Sequence, residues 1–214
     1  MPDAKPVGEE PLPINCPSCG AELPHRVRYS KMAACDYCNN VVYLRGAEAT
    51  ILGRQSALAD YSSLLRLGGR YRHRDLEFEP LGLLRYDYGA GFWDEWWVLT
   101  DGGEGRWVSV DEGDFAIEER VTPDRELPPP AGLALGQRLE LFHQQWTVTE
   151  TGRARLLGIR GELPEPVSLQ RRFGYVHLSA PGPWLVTLEF GPPGTEVEVY
   201  RGQWVDPFEI EVMA

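Results

Sequence analysis

The sequence predicts a mostly β chain, in which an N-terminal four-cysteine ribbon precedes two small antiparallel modules of the barrel or sandwich kind. Three observations predict this class. Glycine (23 residues) and proline (18 residues) are plentiful in a chain of 214 residues, and short apolar runs recur between glycine-rich turns. All four cysteines fall between positions 16 and 38. Short strands separated by regular turns favour a barrel or a sandwich over a helical fold.

The composition is that of an acidic globular protein. Hydrophobic residues make up 43% of the chain, and the formal net charge is −11. Residues 51–214 carry sixteen Lys or Arg against twenty-six Asp or Glu, whereas residues 1–50 are nearly neutral. An acidic surface repels phosphate backbones, so nucleic acid is disfavoured as a general partner.

The first residues give no sign of export. Residues 1–13 hold four prolines and three acids, and they predict a disordered tail and not a signal peptide. No apolar run is long enough to span a bilayer, so a peripheral membrane assembly would have to form through a partner. Paired cysteines fit metal-bound thiolates in a reducing compartment, so we expect a cytoplasmic protein.

A ribbon is predicted over residues 14–45 by the cysteine pattern C-x2-C-x15-C-x2-C. The four cysteines are Cys16, Cys19, Cys35 and Cys38. Two residues between thiols allow a tight knuckle, and Gly20 and Asn39 tolerate the left-handed backbone that such a turn needs. Four thiolates suit one tetrahedral Zn²⁺ with no open position, which is a structural site. Iron uses the same four ligands, and the pattern is also compatible with two disulfides or with free thiols.

The residues between the two knuckles are the most basic ones near the cysteines. The cations are Arg26, Arg28 and Lys31. They are candidates for contact with a protein partner or with nucleic acid at a ribbon fingertip. The acidic net charge favours a solvated hairpin without a partner over this interpretation, since three cations are few. His25 is a spare candidate ligand, but four cysteines already fill a tetrahedral shell.

Residues 46–66 are predicted to be a connector. Apolar residues recur there at helical spacing after Ser56, a candidate N-cap, and Gly68-Gly69 follow as a stop signal. This pattern predicts a short helix over residues 56–66, with an extended linker as the alternative.

Two β modules are predicted beyond the connector, over residues 67–121 and 133–214. The proline-rich linker TPDRELPPPAG separates them at residues 122–132. The pairs Leu67-Gly68 and Leu135-Gly136 each open a module, and an aromatic residue follows ten positions after each glycine. We therefore expect an internal duplication.

A hairpin that contains four of the seven tryptophans is predicted at Arg85 to Val110. Phe92 to Thr100 is predicted to be one strand, residues 101–105 a turn, and residues 106–110 the returning strand. The outgoing strand carries Trp93, Trp96 and Trp97 and is apolar on both faces. Such a strand is buried on both sides, or it has a core on one side and a partner on the other. The three tryptophans are therefore candidate partner-binding residues.

Asp94 and Glu95 interrupt this strand and are the candidate catalytic acids. Adjacent strand residues point to opposite faces, so the two cannot act as a pair, although either can act alone. The structural alternative is that each acid accepts an indole N–H or pairs with an arginine such as Arg106. No metalloprotease, serine-hydrolase or phosphate-binding motif occurs, so the sequence favours a protein without catalysis. An enzyme with its site between the β modules is the alternative function.

Several motifs together resemble one family. They are CPSCG at 16–20, CDYC at 35–38, FWDEWWVL at 92–99, RWV at 106–108, GELP at 161–164 and VYRGQWV at 199–205. From about Cys16 to the C-terminus, the chain resembles bacterial proteins containing the domain of unknown function 4178. The resemblance implies a β-rich cytoplasmic protein without an established activity, and it carries over no catalytic residues. Proteins of this kind tend to be encoded beside membrane-stress and polyamine-related genes. We therefore expect a zinc-binding adaptor or scaffold in a bacterial stress or membrane-associated assembly.

Overall fold

A computed structural model describes residues 13–26 and 30–213. The chain divides into two compact units. The first unit consists of residues 1–57 and 160–167, and the second consists of residues 58–159 and 168–214. The described residues form fourteen strands and two short 3-10 helices, so the predicted mostly β class is confirmed. The tail predicted over residues 1–13 lies outside the described residues except for Pro13.

The first unit is a small antiparallel sheet. Its strands are β1 (Met32–Ala34), β2 (Asn40–Arg45) and β3 (Glu48–Arg54). β2 pairs with β1 on one side and with β3 on the other. Residues 160–163 return to pair with the free side of β1, where Ala33 lies opposite Glu162. A segment distant in sequence therefore completes the sheet.

The core of the first unit is small and includes two of the cysteines. Its buried residues are Ile14, Cys16, Leu23, Ala33, Cys35, Val42 and Leu44. Cores of this size rarely stabilise a fold alone, and natural mini-domains of this size commonly add a metal ion or a disulfide.

The second unit holds the remaining strands. They are β4 (Arg70–His73), β5 (Leu76–Asp87), β6 (Phe92–Thr100), β7 (Gly105–Asp111), β8 (Asp114–Arg120), β9 (Arg138–Leu141), β10 (Gln144–Leu163, whose last residues belong to the first unit), β11 (Arg172–Ser179), β12 (Trp184–Phe190), β13 (Glu198–Val205) and β14 (Ile210–Met213). Neighbouring strands follow the order β14-β4-β5-β6-β7-β8-β13-β12-β11-β10, and β9 also pairs with β10. The predicted strand Phe92 to Thr100 is confirmed, and the returning strand begins one residue earlier than predicted.

Both predicted β modules contribute to this one unit. β8, from residues 67–121, pairs with β13, from residues 133–214, through six residue pairs. The close approach of these strands requires Gly202, where an added Cβ would lie 2.0 Å from the Ile117 carbonyl oxygen. The predicted domain boundaries and the internal duplication stay predictions.

Two hydrophobic clusters form the core of the second unit. One draws mainly on β4 to β8 and contains Trp96 and Val98, together with Val205 and Ile210. The other lies on β9 to β13 and contains the fully buried Trp146. Each cluster holds several large buried side chains, so this unit has the apolar area that the first unit lacks.

The structure has no helix over residues 56–66, where the sequence predicts one. Residues 48–54 form β3, and the backbone of the following segment bonds to side chains. The Ala59 carbonyl accepts a hydrogen bond from Arg85 Nη1 at 2.8 Å, and the Arg66 amide donates to the Tyr71 hydroxyl at 2.8 Å. Tyr71 also donates to the Leu64 carbonyl at 3.1 Å. These tertiary partners replace the hydrogen bonds that a helix would provide, so the weak helical propensity is overridden.

The two 3-10 helices are Pro130–Gly132, within the proline-rich linker, and Pro207–Glu209. Each is a single turn. No helix among the described residues has the length and apolar character needed to cross a membrane.

Candidate metal centre and polar cavity

Each cysteine pair lies on a backbone knuckle of the same design. The Gly20 amide donates to the Cys16 carbonyl at 2.9 Å, and the Asn39 amide donates to the Cys35 carbonyl at 2.9 Å. Gly20 and Asn39 have positive φ angles of 77° and 58°. The prediction of a left-handed backbone at these two positions is therefore confirmed. Each turn folds back so that its two sulfurs point towards the other knuckle.

The knuckles bring the four sulfur atoms together. Cys16 Sγ lies 3.7 Å from Cys38 Sγ, and Cys19 Sγ lies 3.6 Å from Cys35 Sγ. All four sulfurs lie within 4.8 Å of one another, and no pair forms a disulfide. Four thiolates at about 2.3 Å from one ion in tetrahedral geometry would be about 3.8 Å apart. The cluster therefore has the dimensions of a four-thiolate metal site.

The surroundings of the cysteines favour thiolate at one position and thiol at another. Asn40 Nδ2 donates to Cys38 Sγ at 3.2 Å, and this bond helps to lower the pKa of Cys38 to about 6. Burial raises the pKa of Cys35. A bound cation would supply the stabilisation that the buried thiolate lacks, because a metal ion deprotonates a coordinating thiol.

The basic fingertip is anchored by an acid from the distant segment. Glu162, only 1% exposed, accepts from the Arg26 amide at 2.8 Å and from the Ser30 hydroxyl at 2.6 Å. These two donors flank residues 27–29. The structure does not describe those three residues, and Arg28 is one of them. The Lys31 side chain is exposed, and His25 is not part of the sulfur cluster. The sequence motif GELP contains Glu162, but nothing local to it indicates a contact more than 130 positions away.

The three candidate tryptophans are buried within the second unit. Trp93, Trp96 and Trp97 are 9%, 5% and 8% exposed. Trp96 belongs to the first hydrophobic cluster, and Trp97 packs against Trp107 with ring centroids 5.2 Å apart. Of the two arrangements that the sequence allows, the structure shows burial on both faces. The rings therefore offer little surface to a partner.

Asp94 is occupied by a buried ion pair. Arg85 lies directly opposite it on β5 and donates from Nε and Nη2 to the two carboxylate oxygens at 2.6 and 2.7 Å. The predicted candidate Arg106 pairs with Glu104 and Glu119 instead. Strand register decides this choice, because Arg85 is the cross-strand neighbour of Asp94 and Arg106 is not. Both carboxylate oxygens of Asp94 are therefore engaged by Arg85, which is the structural role that the sequence favours.

Glu95 has a different environment on the opposite face of β6. It accepts from Trp93 Nε1 at 2.8 Å and from the Ser109 hydroxyl at 2.9 Å, which confirms the expected indole partner. Burial, reinforced by the nearby carboxylates of Glu118 and Glu189, raises the pKa of Glu95 to about 8. Glu95 is therefore a carboxyl group that can hold a proton near neutral pH.

Glu95 lines a cavity of about 270 Å³ in the second unit. Side chains from β6, β7, β8, β10, β11, β12 and β13 border this space, so the sheet curves around it. Its polar lining includes Glu118, Glu150, Tyr175 and His177. Sequence analysis missed these four residues, because they come from three different strands. The one signal in the sequence is the presence of charged residues at positions that strand alternation directs inward.

The fold and the sulfur cluster define a mostly β protein with an N-terminal four-cysteine cluster of zinc-ribbon type. Within that class, the chain belongs to the family described as a domain of unknown function, DUF4178, whose model matches residues 66–207. The family resemblance is thereby confirmed for the motifs that lie within these residues. The matched residues include the cavity but not the cysteines. No curated protein and no solved structure matches the chain.

Proposed function

We propose that the chain is a non-catalytic adaptor that holds one structural Zn²⁺ in its N-terminal ribbon. The observation that supports the metal is the set of sulfur separations, 3.6 and 3.7 Å, which fit a tetrahedral thiolate shell. Four protein ligands leave no position for water or substrate, so such a metal stabilises the fold and does not take part in a reaction.

Metal analysis of the full chain, purified without chelator, tests the first half of this proposal. We expect one zinc per chain and none in Cys35→Ser. Iron would instead give a coloured protein with thiolate-to-iron absorption. A colourless protein without bound metal contradicts the proposal.

The adaptor role draws support from the exposed surface of the ribbon. Tyr37 is 82% exposed and lies on the second knuckle between Cys35 and Cys38. The exposed Lys31 belongs to the same unit. An aromatic side chain that is held on a rigid turn is well suited to anchor a protein partner, because binding then orders few side chains. The proposed partner is another protein. The two proteins would belong to a stress-related or membrane-associated assembly, as the family resemblance suggests.

Affinity capture from the native host tests the adaptor role. The wild type is compared with Tyr37→Ser, which leaves the metal ligands intact, and with Phe208→Ser as a matched control. Phe208 is 95% exposed but belongs to the second unit. We expect a protein captured by the wild type and by the Phe208 variant to be lost with the Tyr37 variant. Equal capture by all three chains contradicts a ribbon-mediated adaptor.

A second candidate function is catalysis at the polar cavity by Glu95 with His177. The observation that favours it is that both residues line the same cavity and that the pKa of Glu95, about 8, suits a proton donor near neutral pH. Incubation with a metabolite extract, followed by mass spectrometry, tests it. Turnover by the wild type should be absent in Glu95→Gln and kept in Glu119→Gln, which alters an exposed acid. An extract left unchanged by the wild type contradicts catalysis.

A further inference from the structure

The cavity around Glu95 differs from the rest of the second unit in its lining. The two hydrophobic clusters of this unit consist of apolar side chains, whereas the lining of this space also contains hydroxyl, carboxyl and imidazole groups. Its volume of about 270 Å³ is close to the lower end of small-molecule sites, which run from about 300 to 1,000 Å³. A curved antiparallel sheet of this kind can hold one small ligand in its interior.

The two deepest carboxylates of the cavity are oriented by neutral donors. Glu95 accepts from Trp93 Nε1 and from the Ser109 hydroxyl at 2.9 Å. Glu118 accepts from Thr187 at 2.9 Å and lies 3.4 Å from the same Ser109 oxygen, whose one proton is directed to the closer Glu95. These bonds fix the direction of the oxygens but supply no positive charge. Burial accordingly raises the pKa of both carboxyl groups.

No lysine or arginine occurs among the described residues that line the cavity. Five of those residues are acids: Glu95, Asp111, Asp114, Glu118 and Glu150. The only basic side chain in the lining is that of His177, and its Nδ1 already contacts Glu150 at 3.2 Å. A cationic ligand would therefore favour the ionised form of these acids, because it would supply the positive charge that the lining lacks.

The geometry of the acids favours an organic cation over a metal ion. Among the described residues, the cysteines form the only group of three or more metal-binding side chains whose ligand atoms converge within 4.8 Å. No three of the cavity carboxylates converge in this way, although a metal ion held by several protein oxygens would require it. Aromatic rings complete the wall: Trp93 and Tyr175 meet edge to face with centroids 5.3 Å apart. Such rings attract cations and pack against apolar carbon.

We propose that this cavity binds a small organic cation, a protonated amine on a compact carbon skeleton. The ammonium group lies against Glu95 and Glu118, and the carbon skeleton packs against the wall that Trp93 and Tyr175 form together. The inference rests on the cavity alone and is independent of the metal and of the adaptor role. It names a ligand class for the cavity of the second candidate function without requiring a reaction there.

Calorimetric titration of the metal-loaded full chain tests this proposal with four probes: n-butylammonium, benzylammonium, neutral n-butanol and MgCl₂. We expect both amines to bind and n-butanol to bind at least tenfold more weakly. Glu95→Gln and Glu118→Gln should each weaken amine binding about tenfold or more. Glu119→Gln, which alters an outward-facing acid on the same strand as Glu118, should leave it unchanged.

Several results overturn the proposal. They are butanol binding as tightly as the amines, binding of Mg²⁺ alone, binding by none of the probes, or unchanged amine affinity in both folded Glu→Gln variants. The two variants are close in shape to the wild type and remove buried like charges, so we expect both to fold. Amine binding without turnover would support this inference and count only against catalysis. A loss of zinc with amine binding intact would count only against the ribbon.

Discussion

The two candidate sites of this chain are built in opposite ways. The sulfur cluster takes all four ligands from positions 16 to 38, and two short knuckles with hydrogen bonds of 2.9 Å set its geometry. The polar cavity takes its lining from positions 93 to 204, on seven strands. A site built from local turns can be recognised by residue spacing, whereas a site built from strand register depends on the tertiary fold.

The units that hold the two sites also differ in their source of stability. The first unit has a small apolar core that includes Cys16 and Cys35. The second has two large clusters with several fully buried side chains. We therefore infer that the metal is needed for folding of the first unit but not of the second, and each of the following predictions tests a part of this contrast.

Removal of one thiolate should have the largest effect. In Cys35→Ser, the first unit should lose its metal and its ordered sheet, because structural zinc binding contributes roughly 10–16 kcal/mol to folding in comparable small peptides. The second unit should keep its cooperative thermal transition. Amide hydrogen exchange, read separately over residues 30–54 and 70–120, measures both.

The matched control for this change is Tyr37→Ser, which alters the same knuckle without touching a ligand. It should keep the metal and the slow exchange of both regions. Rapid exchange of the second unit in Cys35→Ser would mean that the two units share one folding transition, and the contrast in their stability would then be wrong.

A buried ion pair gives the next largest effect, within the second unit. In Arg85→Met, the Asp94 carboxylate stays buried without its partner, which should cost about 3–5 kcal/mol of the free energy of unfolding. The double variant Arg85→Met/Asp94→Leu should recover most of this loss, because no unpaired charge remains. Urea unfolding monitored by tryptophan fluorescence measures both. A double variant that is less stable than the single one would show that the pair itself stabilises the unit.

Sequence analysis predicted the features that depend on local contacts and missed those that depend on contacts between distant residues. The sequence predicted the convergence of the four cysteines, the left-handed Gly20 and Asn39, and the tryptophan strand to within a residue, because each depends on neighbouring positions. It placed a helix over residues 56–66, where the Arg85 and Tyr71 side chains instead bind the backbone. It proposed Arg106 as an ion-pair partner of Asp94 where the structure has Arg85, because the register of β5 against β6 cannot be deduced from one sequence.

Loss of Glu162 should affect the ribbon moderately, although this residue lies far from the cysteines in sequence. In Glu162→Leu, the Ser30 hydroxyl and the Arg26 amide lose their acceptor, which should cost about 1–3 kcal/mol. Faster hydrogen exchange at residues 30–34 and faster transfer of zinc to a chelator measure this effect. Glu48→Leu, which alters an exposed acid on β3 of the same unit, is the matched control. An unchanged transfer rate in Glu162→Leu would mean that the ribbon is held by its metal alone.

The smallest effect should be on the pH dependence of the free energy of unfolding, to which Glu95 contributes. Its pKa rises from the ordinary 4.5 to about 8 in the folded chain, so the folded state keeps a proton that the unfolded state releases. The stability associated with this proton is fully present below pH 4.5 and is lost as the pH rises through about 8. In Glu95→Gln, the fall in stability between about pH 5 and about pH 8.5 should be smaller by about 1–2 kcal/mol, because the Glu95 side chain is only half-buried and solvent screens part of the full shift.

Thermal melting at intervals across this pH range measures that difference, and Glu119→Gln serves as the control. A remaining slope is expected in Glu95→Gln, because burial also raises the pKa of Glu189, to about 7. Parallel curves for the wild type and Glu95→Gln would show that Glu95 is ionised throughout and that solvent reaches it freely. The cavity would then be an open surface, and the contrast between a locally built metal site and an enclosed polar site would reduce to the ribbon alone.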